Sequence, residues 1–141
     1  IYSIGSVSDD SDGAIELINP DDMTSQVLYT ESDIGGSITT WIFDTSATGW
    51  LVSGLAERSG GQGWGLTRFD LTAGTFTAVS DFQNSYYTWA IDYSDDGLVF
   101  AGYNDEDNPG LMIFDSLTDY APLFDDPIST GLLPKRLLCV R

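Results

Sequence analysis

Acidic side chains in two loops have the spacing that hard cations often need. In residues 9–13 and 104–110, oxygen-bearing side chains alternate before a glycine, and calcium takes carboxylate, amide and carbonyl oxygens. Neither loop has the distal glutamate of the twelve-residue EF-hand pattern. Asp105 and Asp107 are therefore candidate ligands of a calcium-like ion, and acidic turns that only shape the backbone are the alternative.

The residues needed for most nucleophilic chemistry are missing from this sequence. It has no histidine and one cysteine, so it offers no histidine base for a hydroxyl or thiol and no histidine metal ligand. Cys139 lies in the apolar run 137–140, which predicts a buried structural thiol. Carboxylate pairs serve glycoside hydrolysis only at a set separation. We therefore assign no catalytic residue.

A further set of side chains is suited to binding a protein. An acid–base neighbour pair and several loop aromatics could anchor a partner surface or stack on a sugar. The set is Glu57, Arg58, Phe82, Tyr86, Tyr87 and Tyr103. The alternative is a surface ion pair beside aromatics that belong to the core.

Charge limits the choice of partner. The chain has 22 acidic and 5 basic residues. Three of the basic residues, Lys135, Arg136 and Arg141, lie at its end, which leaves Arg58 and Arg68 against all the acids before them. Such a surface repels phosphate backbones, so nucleic acid and anionic lipid are poor partners. Cations or a basic protein patch suit it better, and a solvated acidic surface is the alternative. No apolar run approaches the ~18 residues of a membrane-spanning helix.

An internal repeat predicts the elements that position these residues. The segment around Trp41 recurs around Trp89, a shift of 48, and the segment that follows keeps this shift. The segment that starts at Gly65 recurs at Gly110, a shift of 45, and an earlier copy begins at residue 1. We therefore expect Trp41 and Trp89 at equivalent positions on inner strands.

Each copy contains four short runs rich in β-branched and aromatic residues, separated by turn residues. This pattern is typical of an antiparallel meander, and no stretch of about eleven residues keeps a helical apolar pattern. The predicted strands are 1–6, 14–19, 25–30, 39–44, 50–55, 65–71, 75–80, 88–93, 98–102, 111–116, 121–124 and 136–140. The sequence predicts an all-β fold with little or no helix.

Residues 93–100 form an aspartate-glycine hairpin before an apolar strand, and residues 127–134 contain a glycine-leucine turn before a proline. The chain thereby resembles the β-propeller repeat superfamily of YVTN-type, TolB-like and WD40-like proteins, although the WD dipeptide is absent. The resemblance implies four-stranded blades. Blade 1 covers about 1–30, blade 2 about 39–80, blade 3 about 88–124, and residues 136–140 give the inner strand of a further blade.

Three blades form an open arc, because propellers usually have about four to eight blades. The remainder of a longer chain, or further copies, must then close the ring, and a start on Ile1 favours a fragment or processed product. Longer loops gather on one rim, where binding concentrates. They are 7–13, 31–38, 56–63, 81–87, 103–110 and 125–134.

The resemblance and the acidic, lysine-poor composition imply an exported protein of the periplasm or cell surface. We expect a non-catalytic binding or scaffold propeller that engages a protein partner or larger assembly through the acidic loop-rich rim. No cofactor is expected apart from the candidate calcium ion. The alternative is part of a lactonase-like or glycan-cleaving propeller hydrolase with its catalytic residues on other blades.

Overall fold

The computed structural model describes residues 1–5, 13–55, 63–82, 90–103, 107–132, 134 and 136–139. These residues form three antiparallel sheets, which we call the first, second and third sheets in chain order. The first contains β1 (Tyr2–Gly5), β2 (Ala14–Asn19) and β3 (Thr24–Thr30). The second contains β4 (Ile38–Phe43), β5 (Thr48–Leu55), β6 (Gly63–Asp70) and β7 (Thr75–Phe82). The third contains β8 (Ile91–Tyr93), β9 (Leu98–Tyr103), β10 (Gly110–Asp115), β11 (Ala121–Pro122) and β12 (Ile128–Ser129).

The all-β class predicted from the sequence is confirmed. The α-helix among the described residues is α1 (Glu31–Ile34), one turn long, and Ser116–Thr118 forms a 3₁₀ turn. Helix α1 begins after Thr30, whose N–H and hydroxyl both donate to the Asp33 carboxylate, and it ends at Gly35 with φ 87°. It turns the chain between the first and second sheets.

The hairpins of the outer strands repeat from sheet to sheet. In β2–β3 the pairing register slips between Ile15 and Glu16, and in β6–β7 it slips between Leu66 and Thr67, 51 residues later. A bulge conserved in position bends both hairpins in the same way. The two outer hairpins are therefore copies of one structural unit.

The predicted shift of 48 between the inner hairpins is wrong. Phe43 pairs with Gly49 and Tyr93 pairs with Val99, so the β4–β5 and β8–β9 hairpins superpose at a shift of 50. Hairpin register is set by the turn length. The shift of 48 came from similar residue types in the two segments and took no account of strand pairing. Ile91, rather than Trp89, therefore stands where Trp41 stands in the sheet before; Trp89 itself lies outside the described residues.

The second sheet lies between the other two. Along β5, Leu51 packs against the first sheet, whereas Trp50 and Val52 pack against the third, and all three side chains are almost fully buried. Successive strand residues point to opposite faces, so a continuous apolar run marks a strand buried on both sides. Phe69 on β6 faces the first sheet, and Phe114, 45 residues later, faces the second.

The outer edge of the third sheet differs from prediction. Strands β11 and β12 both pair with β10, one at each end, so the loop predicted for residues 125–134 contains a strand. The described part of the predicted strand 136–140, residues 136–139, has no regular secondary structure. Instead, the Cys139 N–H donates to the Asp92 carboxylate on β8.

Candidate interaction surface

Aspartate and asparagine side chains at the ends of equivalent strands cap the turns that follow. Strands β2, β6 and β10 end at Asn19, Asp70 and Asp115. The side chain of each residue accepts a hydrogen bond from the backbone N–H two residues further on, at 3.1, 2.8 and 2.8 Å. An Asx turn of this kind satisfies a backbone donor that the hairpin would leave unpaired. The repeated carboxylates at Asp70 and Asp115 thus serve the backbone.

A charged cluster lies between the second and third sheets. The Arg68 guanidinium lies 2.8 Å from the Asp44 carboxylate, donates to the Gly49 carbonyl at 2.8 Å, and stacks over Trp50 at 4.9 Å from the ring centroid. Arg68 is 24% and Asp44 19% exposed. Removing one partner of a partly desolvated pair costs more than removing one partner of an exposed pair. Through its contacts, Arg68 on β6 joins β5 and the turn that follows β4.

The neighbours of this cluster extend it across the sheet interface. The Thr48 hydroxyl donates to the Asp44 carboxylate at 2.6 Å, and the Tyr93 hydroxyl on β8 donates to the Asp44 carbonyl at 3.3 Å. The Tyr120 ring meets Trp50 edge-on at 4.3 Å. Asp44 is held by a cation and a hydroxyl, and it thereby joins the turn between β4 and β5 to β6 as a structural clamp.

Three rows of paired residues occupy equivalent positions in the three sheets. They are Ile4, Ile15 and Tyr29 in the first sheet; Val52, Leu66 and Ser80 in the second; and Gly102, Leu111 and Ile128 in the third. The first row packs on the second sheet and the second row on the third. The third row faces outward.

We call this the outward face of the third sheet. Its other cross-strand row contains Asp92, Phe100 and Ile113, and Leu123 follows because its N–H donates to the Ile113 carbonyl. Leu123 is 42% and Ile128 43% exposed. An apolar, partly exposed sheet face is the usual mark of an interaction surface.

Pro134 and residues 136–139 cross part of this face. A Cβ atom on Gly102 would lie 3.1 Å from the Pro134 Cβ, and Cys139 is joined to Asp92 as described above. The Cys139 thiol, expected to be buried, is half-buried. The carboxylate of Asp92, itself buried, therefore fastens a segment rich in leucine to the outward face.

Four of the six residues predicted to bind a partner lie outside the described residues: Glu57, Arg58, Tyr86 and Tyr87. The candidate metal ligand Asp105 also lies outside them. Phe82 ends β7 and pairs with Trp64 through the backbone. Tyr103 ends β9, is half-buried, and packs on the core between the second and third sheets. Asp107 is exposed.

The calcium site stays a prediction, because Asp105 lies outside the described residues. Within the part of the chain that the structure describes, no three potential metal-ligating side chains come together. Asp33, another acid of the predicted rim, is engaged locally: hydrogen bonds from the Thr30 N–H and hydroxyl lower its pKa.

Sequence reasoning missed the Arg68 cluster and the Asp92 bond to Cys139. A signal for the first was present, because Arg68 is one of two basic residues before Lys135 and lies on the strand predicted to follow that of Trp50. For the second, no signal in the sequence points to residue 139.

No family model and no curated protein matches this chain. Among the described helices, none has the length and apolar character to cross a membrane.

Proposed function

We propose that the three sheets are consecutive blades of a β-propeller, and that the protein is a non-catalytic binding module. The observation that carries the proposal is the recurrence of one packing scheme. Equivalent rows of the first and second sheets pack on the sheet that follows. Face-to-face stacking of successive four-stranded meanders is the propeller arrangement.

The rim that binds is formed by the connections β1–β2, β3–β4, β5–β6, β7–β8 and β9–β10. In an antiparallel meander these connections share one end of each sheet. Their acids are Asp9, Asp10, Asp12, Glu31, Asp33, Glu57, Asp105, Glu106 and Asp107. The opposite end is made of short turns closed by their own aspartate and asparagine caps.

The partner is a protein with a basic surface, because complementary charge steers association and opposes wrong partners. A net charge of −17 attracts such a surface over about a Debye length. The same composition, acidic and poor in lysine, supports export to the periplasm or cell surface.

The test measures binding of a fluorescent lysine-rich peptide, with an acidic peptide of equal length as a probe control. The rim variant Asp105→Asn/Asp107→Asn is compared with Asp95→Asn/Asp96→Asn, which removes the same charge from the β8–β9 turn at the other end. We expect the rim variant to weaken binding several-fold more than the turn variant. Equal weakening would show that only net charge matters and would overturn the rim proposal.

A further inference from the structure

The outer strand of the first and second sheets carries a bulge at one equivalent position. In the second sheet, two residues of β7, Ala78 and Val79, lie opposite one residue of β6, Thr67. The first sheet has the same bulge 51 residues earlier, where Val27 and the residue after it lie opposite Glu16. A bulge bends an edge strand and limits its pairing with other chains. In these two sheets, one extra residue is enough for that purpose.

The third sheet enlarges the bulge at the same position. Its edge is formed by β11 and then β12. The Leu123 N–H still donates to β10 at 2.8 Å, and the next residue that pairs with β10 is Ile128. Four residues therefore lie opposite Met112, which stands 45 residues after Thr67. We call residues 124–127 the insertion.

The insertion is held at both of its ends. It begins after the bond of Leu123 to β10, and it returns to that strand at Gly110, where a Cβ atom would lie only 2.7 Å from the Pro127 Cβ. Strand β12 follows at once, and the Thr130 N–H donates to the Pro109 carbonyl at 3.2 Å. A segment that is already held in place loses less conformational entropy when it binds.

The insertion brings an aromatic side chain to the surface. Phe124 is 51% exposed. Protection of the edge does not require this, because a bulge prevents strand pairing without an exposed aromatic residue. Exposed aromatic side chains on ordered segments are typical anchors of protein interfaces. Of the ten large apolar residues exposed in the described part of the chain, four lie within residues 123–132: Leu123, Phe124, Ile128 and Leu132.

Two carboxylates border this aromatic residue. Asp125 and Asp126 are both exposed. Asp70 and Asp115 cap turns, whereas neither carboxylate of the insertion accepts a hydrogen bond from another described residue or forms an ion pair with one. Their charge opposes contact with the negative surface of a membrane. It favours a protein surface that carries lysine or arginine.

From these observations we propose that the insertion is a second interaction site, in which Phe124 enters an apolar pocket of a partner protein. Asp125 and Asp126 then pair with lysine or arginine side chains around that pocket. The aromatic anchor supplies most of the affinity, and the carboxylates orient the partner. The insertion leaves the third sheet at its edge strand, so this site is separate from the rim formed by the connecting loops.

The test measures binding of three fluorescent peptides of equal length to the 141-residue chain. One peptide alternates lysine with leucine, the second alternates lysine with serine, and the third alternates glutamate with leucine. The first offers positive charge and apolar surface together, whereas each of the others offers one of them. We expect the lysine–leucine peptide to bind about tenfold more tightly than either of the others, because the anchor and the carboxylates act together.

The first variant removes the anchor. Phe124→Ser should weaken binding of the lysine–leucine peptide about tenfold, to the affinity of the lysine–serine peptide. The matched control is Leu117→Ser, which removes an apolar side chain 86% exposed on the 3₁₀ turn and should leave the affinity unchanged. Phe124→Thr repeats the test if Phe124→Ser fails to give the circular dichroism spectrum of the parent chain.

The second variant removes the charges beside the anchor. Asp125→Asn/Asp126→Asn should weaken binding of the lysine–leucine peptide severalfold, and by more than Asp95→Asn/Asp96→Asn, which removes the same charge from the exposed β8–β9 turn. The difference should shrink as salt is raised, because exposed charges are screened. Equal weakening by the two double variants would show that only net charge acts and would contradict the role given to the insertion.

Three further results would overturn the proposal. They are equal affinity of the parent chain for the lysine–leucine and lysine–serine peptides, equal losses in Phe124→Ser and Leu117→Ser, and binding to phosphatidylcholine vesicles that Phe124→Ser abolishes. The last would indicate a membrane surface. Failure of the rim proposal is measured separately: Asp105→Asn/Asp107→Asn should weaken both lysine peptides equally, and this inference depends on the ratio of their affinities.

Discussion

Replacing Arg68 by methionine should destabilise the protein by about 2 kcal/mol. Exposed ion pairs contribute ~0–1 kcal/mol, and breaking a buried pair costs ~3–5 kcal/mol. Methionine keeps an unbranched apolar stem near Trp50 but removes the ion pair with Asp44 and the bond to the Gly49 carbonyl. The side chains of the pair are about a fifth to a quarter exposed, which places the cost between these limits.

The expected shift in melting temperature follows from the size of the chain. With about 2.1 cal/mol/K of unfolding entropy per residue, 141 residues give about 0.3 kcal/mol/K, so 2 kcal/mol lowers Tm by about 7 °C. Urea unfolding followed by tryptophan fluorescence measures the same change, provided that the m-value is unchanged.

Asp44→Asn provides the matched control for this prediction. It removes the charge but keeps an acceptor for the Thr48 hydroxyl, and it leaves Arg68 without its counter-ion. If Arg68 acts through Asp44, the double variant should lose about 1 kcal/mol less than the two single losses added together. Additive losses, or a loss below about 0.5 kcal/mol for Arg68→Met, would refute the clamp.

Three further outcomes test the packing, the turns and the cap of α1. Leu51→Ala at the centre of the second sheet should cost about 3 kcal/mol in urea unfolding, whereas Val27→Ala, half exposed, should cost under about 0.5 kcal/mol. Gly97 and Gly35 have φ of 86° and 87°, but only a Cβ at Gly97 would strike a serine side chain; Gly97→Ala should therefore lower Tm more than Gly35→Ala. Hydrogen bonds lower the pKa of Asp33 in the folded state, so its carboxylate contributes to the free energy of unfolding above its unfolded pKa, near 3.8. This contribution is lost as pH falls through the folded pKa. In urea unfolding measured across acid pH, Asp33→Asn should therefore reduce the dependence of stability on pH.

The strands could be predicted because their apolar residues alternate or run continuously between turn residues. Strand β2 has the predicted bounds, and the shift of 45 for the Gly65 segment is confirmed by the pairing of Phe69 with Gly49 and of Phe114 with Val99. Both features depend on the order of apolar and turn residues along a short stretch of chain, and this order can be read from one sequence.

What could not be predicted depends on register or on distant partners. The shift of the inner hairpins requires knowledge of which residue faces Gly49. Strand β12 follows a pair of aspartates and a proline, which are turn signals, yet β10 extends far enough to pair with it. The clamp between Arg68 and Asp44 joins residues whose contact depends on strands pairing in one particular register.

Asp92 is the one charged residue in the row that it forms with Phe100 and Ile113 on the outward face of the third sheet. Ile42 in the second sheet packs between sheets, whereas Asp92 occupies the equivalent position in the third. A buried carboxylate is costly unless it accepts hydrogen bonds, and Asp92 accepts from the Tyr93 and Cys139 N–H groups. The position is thus apolar where a sheet packs on it, as at Ile42, and acidic where it binds the backbone of Cys139. Asp92→Ala should therefore release residues 136–139 while the stacking of the three sheets persists: limited proteolysis should cut near residue 139 faster than in the parent chain, and an unchanged cutting rate would contradict this role of Asp92.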